Sequence, residues 1–146
     1  MKVAKRPGFA LFDTGSMANV MAKHNADRLG LPIKPLGNVS AVSFGGQHTR
    51  LHGCLQDVAI DVNGVSVRSN IYVVENLDPA YDLILGMPFM SATRAASWHD
   101  ENDEIHLKFR DPATNHEVEI LATTSDGIGA MDDDEEDRQE WDGLKE

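Results

Sequence analysis

The chain has 146 residues, of which 41% are hydrophobic, and its formal net charge is −11. This length fits one domain, and this hydrophobic fraction is ordinary for a globular fold. No apolar run is long enough to cross a bilayer, no secretory leader is evident, and no basic cluster suggests nucleic-acid binding. We therefore expect no membrane partner and no nucleic-acid partner. The single cysteine, Cys54, cannot form an internal disulfide, so we expect an intracellular, cytoplasmic protein.

The negative charge is concentrated at the C-terminal end. Residues 126–146 contain ten acids and two bases, a net of −8, so the preceding 125 residues carry only −3 of the total of −11. Like charges repel one another and resist packing, so the run "DDDEED" predicts a solvated, disordered tail or linker. We therefore expect one folded domain over residues 1–122 and an acidic tail over residues 123–146.

The first half of the chain predicts short strands. The apolar run at residues 9–12 is typical of a strand that is buried on both faces. Residues 19–31 predict a short strand followed by a helical turn. Residues 39–75 show two-residue alternation, interrupted by the turn signals "FGGQ" (44–47) and "NG" (63–64), and this pattern predicts antiparallel hairpins.

The second half continues in the same way. Residues 81–86, "YDLILG", predict an apolar strand that ends on a glycine. Residues 88–96 have a proline near the start and good helix formers after it, so they predict a short helix. Residues 104–121 predict two alternating strands around a turn. The fold class expected from these elements is mostly β with one short helix.

A carboxylate ends the first apolar strand. Asp13 is followed by Thr14, Gly15 and Ser16, so a carboxyl group, two hydroxyl groups and a flexible glycine share one tight loop. Glycine lets backbone amides approach the carboxylate, and the hydroxyl groups can donate hydrogen bonds. The tripeptide alone favours an ordinary turn, in which the aspartate accepts backbone N–H bonds.

Three motifs in order point further. "DTGS" (13–16) precedes a glycine-tipped hairpin over residues 40–53, and "YDLILG" (81–86) with a helix comes after it. This order and spacing resemble the retropepsin family, the single-domain aspartic proteases of retroviruses and LTR retrotransposons, and especially its Ty3/gypsy-type branch. The resemblance covers residues 8–110. It implies a small, closed, β-barrel-like acid-protease fold with one short helix and a flap hairpin, active as a homodimer.

The resemblance also implies a mechanism that needs two carboxylates, and the chain has one Asp-Thr-Gly. Each subunit of the homodimer would contribute one Asp13, and the pair would share a proton and activate a water without a metal or cofactor. Thr14 would hydrogen-bond across the interface, the Gly15 carbonyl would meet the substrate, and Ser16 would bond to Asp13.

The same family pattern makes the hairpin a flap over an extended peptide that binds as an added strand. Its tip would comprise Phe44, Gly45, Gly46, Gln47 and His48. Val20 and Ile84 are candidates for pocket walls, although core packing explains them equally well.

The function implied is an aspartic endopeptidase that cleaves extended segments of a retroelement polyprotein, in the cytoplasm or in a retroelement particle. The alternative is a catalytically silent dimerisation or peptide-binding module of the same fold, as in a domesticated retroelement or a ubiquitin-shuttle relative.

Two positions depart from the retroviral pattern. Retroviral members often have an aspartate two residues after the Asp-Thr-Gly glycine and an arginine after the "ILG" glycine, and these two pair. Here the places hold Met17 and Met87, so both halves of the pair are replaced together and no charge is left unpaired. The segment before Asp13 is also short, so we expect the dimer to rely on the C-terminal hairpin, residues 104–121.

The residues His48, His52 and Cys54 form the pattern H-x3-H-x-C, which could indicate a metal site. Histidines four residues apart share a face on a helix, not in a glycine-rich hairpin, so we expect no metal there. We expect Cys54 to be a small buried hydrophobic residue and not a nucleophile, since no histidine–carboxylate pattern surrounds it.

Overall fold

A computed structural model describes residues 1–37, 41–44 and 47–122, with the backbone alone for residues 41–44 and 47. The strands and helices in these ranges are β1 (Lys2–Val3), β2 (Arg6–Pro7), β3 (Ala10–Phe12), β4 (Val20–Ala22), α1 (Lys23–Leu29), β5 (Ala41–Phe44), β6 (Gln47–Val62), β7 (Val65–Val74), β8 (Leu83–Leu85), α2 (Met87–Ala92), β9 (Ala96–His99), β10 (Ile105–Arg110) and β11 (Glu117–Ala122). The expected acidic tail, 123–146, lies outside the described residues.

Most strands belong to one curled sheet with the order β2-β1-β6-β7-β4-β8-β3, and β5 pairs with the far end of β6. Strand β4 runs parallel to β7 but antiparallel to β8, and β8 runs parallel to β3. The chain therefore leaves β3, crosses over the end of β8, and enters the sheet again as β4. This crossing places the loop of residues 13–19 directly above the glycine that ends β8.

The hairpin of β6 and β7 is the longest paired element and confirms the "NG" signal. Asn63 and Gly64 have φ angles of 51° and 88°, as a two-residue hairpin turn requires. The register of β6 against β7 shifts between Leu51 and Gly53 and again between Leu55 and Val58. Such bulges increase the local twist of a strand. They let β6 pair within the curled sheet at one end and with β5 at the other.

At the first bulge, the backbone of Lys34 comes very close to Gly53. Lys34 and Cys54 exchange two backbone hydrogen bonds of 2.8 and 2.9 Å, which draws the segment after α1 against β6. A Cβ at Gly53 would lie 2.3 Å from the Lys34 carbonyl oxygen, and Gly53 has a φ of 148°. Only glycine fits this position without displacing the neighbouring backbone.

The N-terminal hairpin, β1 and β2, is absent from the sequence-based prediction. Its turn residues, Ala4 and Lys5, adopt left-handed φ angles of 47° and 70° without a glycine to signal them. Strand β1 is held by pairing with β6, where Val3 lies opposite Ile60. A tertiary contact therefore creates this hairpin, and local turn chemistry does not.

The two predicted helical segments need small corrections. The expected helical turn in residues 19–31 is a seven-residue helix, α1, which ends at Gly30 with a φ of 69°. The helix expected over residues 88–96 is shorter and stops at Ala92, because Arg94 has a left-handed φ of 51°. The carbonyl of Thr93 instead accepts the Arg110 N–H at 2.8 Å, and the following residues form β9.

The C-terminal hairpin predicted over residues 104–121 is present as β10 and β11, and β9 pairs with β10 to complete a three-stranded sheet. Its inner face is buried with the main sheet in one large apolar cluster through Leu107, Phe109 and Ile120. Phe109 packs edge-on against Phe89 of α2 at a ring-centroid distance of 5.8 Å, and Phe12 lies 6.2 Å from both rings. This aromatic trio joins the two sheets across the core.

The mostly β fold class, with a short helix after the "ILG" strand, is confirmed. In the described residues no helix is long and apolar enough to cross a membrane.

Candidate active site

The Asp-Thr-Gly loop begins where β3 ends. The Asp13 N–H donates to the Leu85 carbonyl at 2.9 Å, which continues the parallel pairing of β3 with β8 into the loop. The Asp13 side chain is half-buried, and one carboxyl oxygen, Oδ1, accepts the Gly15 N–H at 2.8 Å. A Cβ at Gly15 would lie 3.1 Å from that same oxygen, so glycine allows the amide to come this close. The carboxyl group is held in place while it still reaches the surface.

Ser16 differs from its expected bonding. Its hydroxyl group donates to the Ala18 carbonyl at 2.7 Å and does not bond to Asp13. Its backbone N–H donates to the Asp13 carbonyl at 3.1 Å, which closes a tight turn. Ser16 is buried, whereas Thr14 and Gly15 are exposed beside it. Ser16 thus stabilises the loop from inside, and Thr14 and Gly15 face outward.

The loop is pressed against the start of α2. The Met87 N–H donates to the Ser16 carbonyl at 2.8 Å. A Cβ at Gly86 would lie 2.3 Å from the Ala18 carbonyl oxygen and 2.6 Å from that of Ser16. The glycine of "YDLILG" is therefore required by the crossing loop, because no side chain fits between the loop and β8.

Asn19 was not singled out in the sequence analysis, although it holds this junction together. It is fully buried, and its side-chain Oδ1 accepts the Gly86 N–H at 3.0 Å. Its Nδ2 donates to the Ser69 hydroxyl at 2.9 Å and to the Asn70 carbonyl at 3.3 Å. The signal for Asn19 in the sequence is a lone amide immediately before the fully buried strand β4.

The two pocket candidates lie together next to the loop. Val20 and Ile84 are opposite each other in the β4–β8 pairing and are buried in a second, smaller apolar cluster with Leu51 and Val74. We call this group the site cluster. Its partly buried members are Leu11, Ala18, Leu36, Leu77 and Tyr81. Because Val20 and Ile84 are buried, a bound side chain would first meet these partly buried residues.

Tyr81 brings a polar group to the site cluster. Burial raises the pKa of its phenol, and the negative charges of Asp78 and Asp13 raise it further. A phenol with a raised pKa stays neutral at ordinary pH, so the Tyr81 hydroxyl group can donate a hydrogen bond at the site cluster. The sequence analysis missed this residue.

The hairpin of β5 and β6 projects beyond the site cluster. Phe44 pairs with Gln47, so Gly45 and Gly46 connect the two strands, although these two glycines lie outside the described residues. His48 is exposed. The hairpin base is fixed by the Glu75 N–H, which donates to the Arg50 carbonyl at 2.8 Å, and by Leu51 in the site cluster. Its role as a flap stays a prediction.

Met17 and Met87 flank the loop at the surface. Met17 is 81% exposed and Met87 is 38% exposed, and both are large apolar side chains. Thr14 and Gly15 are exposed next to Met17. The outward side of the loop therefore exposes two large apolar side chains beside Thr14 and Gly15.

Of the H-x3-H-x-C pattern, His52 has another partner and Cys54 is buried in the core, whereas His48 is exposed. His52 Nε2 is paired with Glu75, and this hydrogen bond lowers the pKa of the Glu75 carboxyl group. Cys54 is buried in the core, where desolvation raises the pKa of its thiol. A raised thiol pKa is the opposite of what a reactive cysteine needs.

A comparison with protein families decides the family. The model of the gag-polyprotein putative aspartyl proteases matches residues 1–92, which include the Asp-Thr-Gly loop, the β5–β6 hairpin and the start of α2. The chain belongs to this family. The family is one of putative aspartyl proteases, which agrees with the resemblance to retropepsins that the three motifs indicate.

The fold agrees with a solved relative. The crystal structure of the retroviral protease-like domain of Ddi1 from Leishmania major matches with a TM-score of 0.54 and 18% sequence identity, over 86% of this chain and 92% of that chain. This likeness shows the retropepsin-like fold. The comparison with curated proteins gave no match.

Proposed function

We propose that the protein is an aspartic endopeptidase that works as a homodimer, with one Asp13 from each subunit. The observation that supports this most directly is the loop geometry. Asp13 is held by the Gly15 N–H at 2.8 Å, yet its side chain is half-exposed at the end of β3. A turn residue would need only the hydrogen bond, whereas a catalytic carboxylate must also reach a substrate.

The proposed chemistry follows from two such carboxylates on a two-fold axis. Like charges a few ångströms apart cannot both ionise easily, so the pair holds one proton; aspartic proteases are the standard illustration. The ionised Asp13 accepts a proton from a water as this attacks the scissile carbonyl. The protonated Asp13 donates to the carbonyl oxygen, and the roles exchange as the tetrahedral intermediate collapses.

The substrate is proposed to be an extended peptide segment of a retroelement polyprotein. An extended peptide can pair with exposed backbone and place alternate side chains into pockets. The base of the β5–β6 hairpin is fixed to the site cluster through Leu51, and we propose that the hairpin closes as a flap over such a peptide. The site cluster is apolar, so we expect large apolar side chains next to the scissile bond.

The proposed dimer uses the exposed side of the loop and the C-terminal sheet. Thr14, Gly15 and Met17 are exposed on the loop, and all four residues of β9 are exposed at the edge of the three-stranded sheet. The inner face of the hairpin 104–121 is buried in its own subunit through Phe109. Only the outer face, which includes Trp98 and Leu121, is therefore open to a partner.

Peptide cleavage tests the catalytic assignment. A diverse peptide library is incubated with the protein at mildly acidic pH, with and without pepstatin. Asp13→Asn keeps the shape of the side chain and an acceptor for the Gly15 N–H, and we expect it to lower cleavage by about 100-fold or more. The matched control is Asp78→Asn, which removes a charge from the same neighbourhood, near Tyr81. Equal cleavage by Asp13→Asn and the unchanged protein would reject the assignment.

The dimer is tested by sedimentation. Deleting residues 104–146 would also remove Phe109 and Ile120 from the core, so a loss of dimer in that variant would be ambiguous. Leu121→Lys places a charge on the outer face at a side chain that is 38% exposed. We expect it to weaken the dimer while the subunit remains folded, and Lys108→Ala serves as an exposed control on the same face. Unchanged dimerisation of Leu121→Lys would remove this face from the interface.

The second candidate is a catalytically silent peptide-binding or dimerisation module. The structural match to the retroviral protease-like domain of Ddi1 is what favours it, since that domain is described by its fold. A verified dimer that binds peptides of the library without cleaving them would establish this function in place of the protease.

A further inference from the structure

The most completely bonded polar side chain next to the candidate active site is Asn19, whose polar contacts have no part in the proposed chemistry. Asn19 is 0% exposed, and its amide uses both its oxygen and its nitrogen. An apolar residue before the buried strand β4 would bury without any polar penalty. A buried amide at this position therefore has a specific task, which its partners reveal.

The partners of Asn19 belong to two separate segments, strand β7 and the junction of β8 with α2. Its Oδ1 accepts the Gly86 N–H at 3.0 Å, and its Nδ2 donates to the Ser69 hydroxyl and the Asn70 carbonyl. Its own backbone carbonyl accepts the Tyr72 N–H at 2.8 Å. Asn19 thus connects the crossing loop to β7 on one side and to the β8–α2 junction on the other.

The β8–α2 junction in turn fixes the loop that carries Asp13. The Leu85 carbonyl accepts the Asp13 N–H at 2.9 Å, and the Met87 N–H donates to the Ser16 carbonyl at 2.8 Å. Between these two bonds, Gly86 has no room for a Cβ because the carbonyls of Ser16 and Ala18 press on it. The Gly86 N–H points to Asn19, so all three residues of the segment 85–87 hold the loop or its end.

We propose that Asn19 is a positioning residue for Asp13: its side-chain amide fixes the Gly86 peptide and thereby the height and orientation of the Asp13–Ser16 loop above β8. This inference rests on the proposed function, because positioning matters only if Asp13 reacts. The side chain of Asn19 makes no hydrogen bond to Asp13, and it acts through Gly86. An aspartyl pair on a two-fold axis is sensitive to such control, since each displacement of the loop occurs in both subunits.

The main test compares three variants. Asn19→Leu has nearly the same shape and removes every side-chain bond. Asn19→Ser is shorter, so it also leaves the Gly86 N–H without its side-chain partner, while a polar hydroxyl group remains at the position. Ser69→Ala is the matched control, because it removes one partner of the Asn19 Nδ2 and leaves the bond to Gly86 intact.

Kinetics per active site separates positioning from stability. Active sites are counted by titration with pepstatin, so partial unfolding does not affect the result. We expect Asn19→Leu and Asn19→Ser to lower kcat by about 10- to 100-fold with little change in KM, since misplaced catalytic groups slow the chemistry. The pH profile of kcat should also shift, because the two carboxyl groups no longer meet in the same geometry. Ser69→Ala should keep both kcat and the profile. An unchanged kcat and pH profile in both Asn19 variants would overturn the proposal.

A readout without activity keeps the two hypotheses apart. In NMR spectra of the dimer, both Asn19 variants should speed the hydrogen exchange of the Gly86 amide about 10-fold or more and shift the Gly15 amide resonance, whereas Ser69→Ala should do neither. If the protein cleaves no peptide but these changes occur, the proposed function fails and the structural coupling of Asn19 to the loop stands. If Gly86 exchange rises while the Gly15 resonance remains unchanged, the coupling itself is rejected.

Discussion

Two regions of the molecule use polar groups in opposite ways. The crossing loop of residues 13–19 is held by hydrogen bonds to buried or backbone partners. One example is the Gly86 N–H, which donates to the Asn19 Oδ1 at 3.0 Å. The outer face of the C-terminal sheet is held by exposed charges instead. There His106 Nε2 lies 2.8 Å from Asp100 and Nδ1 lies 3.0 Å from Glu119, and the imidazole stacks on Trp98.

The difference lies in what each region responds to. Buried neutral hydrogen bonds are insensitive to salt and to pH, and they lose much free energy when one partner is removed. Exposed ion pairs contribute little each and depend on the charge of their members. The loop is therefore built for a fixed geometry, whereas the outer face of the sheet can change with conditions while its inner face stays anchored in the core.

The largest effect is expected from breaking the anchor of the sheet. Phe109→Ala removes one ring of the aromatic trio and leaves a cavity beside Phe89 and Phe12. We expect the free energy of unfolding to fall by about 3–5 kcal/mol. Chemical denaturation measures this value, and Leu121→Ala, at the exposed face of the same hairpin, is the control. A loss as small as that of the control would mean that the sheet does not anchor through Phe109.

A smaller effect is expected from breaking the loop. Gly86→Ala places a methyl group 2.3 Å from the Ala18 carbonyl oxygen, so the loop must lift from β8. We expect a loss of about 1–3 kcal/mol in the free energy of unfolding. Cleavage activity should fall further than stability, because the shift acts on Asp13.

Ser91→Ala, at an exposed site of α2, is the control for this change. Denaturation and peptide cleavage are measured together on both variants. Full activity in Gly86→Ala would show that the position of the loop does not matter for Asp13.

The smallest effect is a pH dependence at the outer face of the sheet. The hydrogen bond to Asp100 and that to Glu119 raise the pKa of His106 above 6.5, although partial desolvation opposes this. A raised folded-state pKa means that the stabilisation is fully present below pH 6.5 and is lost as the pH rises through the higher folded value. The Glu104 carboxylate also lies close to Asp100 and His106, and Lys108 lies on the same face of the sheet but pairs with Glu117.

Thermal unfolding between about pH 6 and about pH 8 checks this dependence. The Tm of the unchanged protein should fall across that interval, and His106→Gln should remove most of the change. The carboxyl groups of Asp100 and Glu117 have lowered pKa values, owing first to His106 and to Lys108 respectively, so their contributions are lost only in acid. An equal slope in both proteins would assign the dependence to other groups.

Much of this organisation could be predicted from particular residues. Asn63–Gly64 determined one hairpin, because few dipeptides accept two left-handed φ angles. Alternation determined β10 and β11, since one face had to be buried. The Asp-Thr-Gly and "ILG" motifs marked the loop and the junction, and the family match over residues 1–92 agrees with that interpretation.

Other features could not be predicted because their causes lie far away in the chain. The N-terminal hairpin exists through pairing with Ile60, and its turn has no glycine. The helix after Gly86 ends early at the left-handed Arg94, and the Thr93 carbonyl accepts the N–H of the distant Arg110 before β9 begins. Asn19 acquires its importance from its hydrogen bond to Gly86, which lies 67 residues away along the sequence. Tyr81 acquires its importance from Asp13, which lies 68 residues away along the sequence.

The sequence by itself determined the mostly β fold and the place of the Asp-Thr-Gly loop at the end of a strand, because these depend on local patterns. The second carboxylate belongs to the proposed function and is implied by the resemblance to retropepsins. Only the tertiary structure decided how the loop is held. Strand β8 runs between β3 and β4, so the loop must cross over Gly86, and the buried amide of Asn19 closes that crossing. Contacts between distant segments leave no periodic signal in a single sequence, and for this reason the support of the site became visible only in three dimensions.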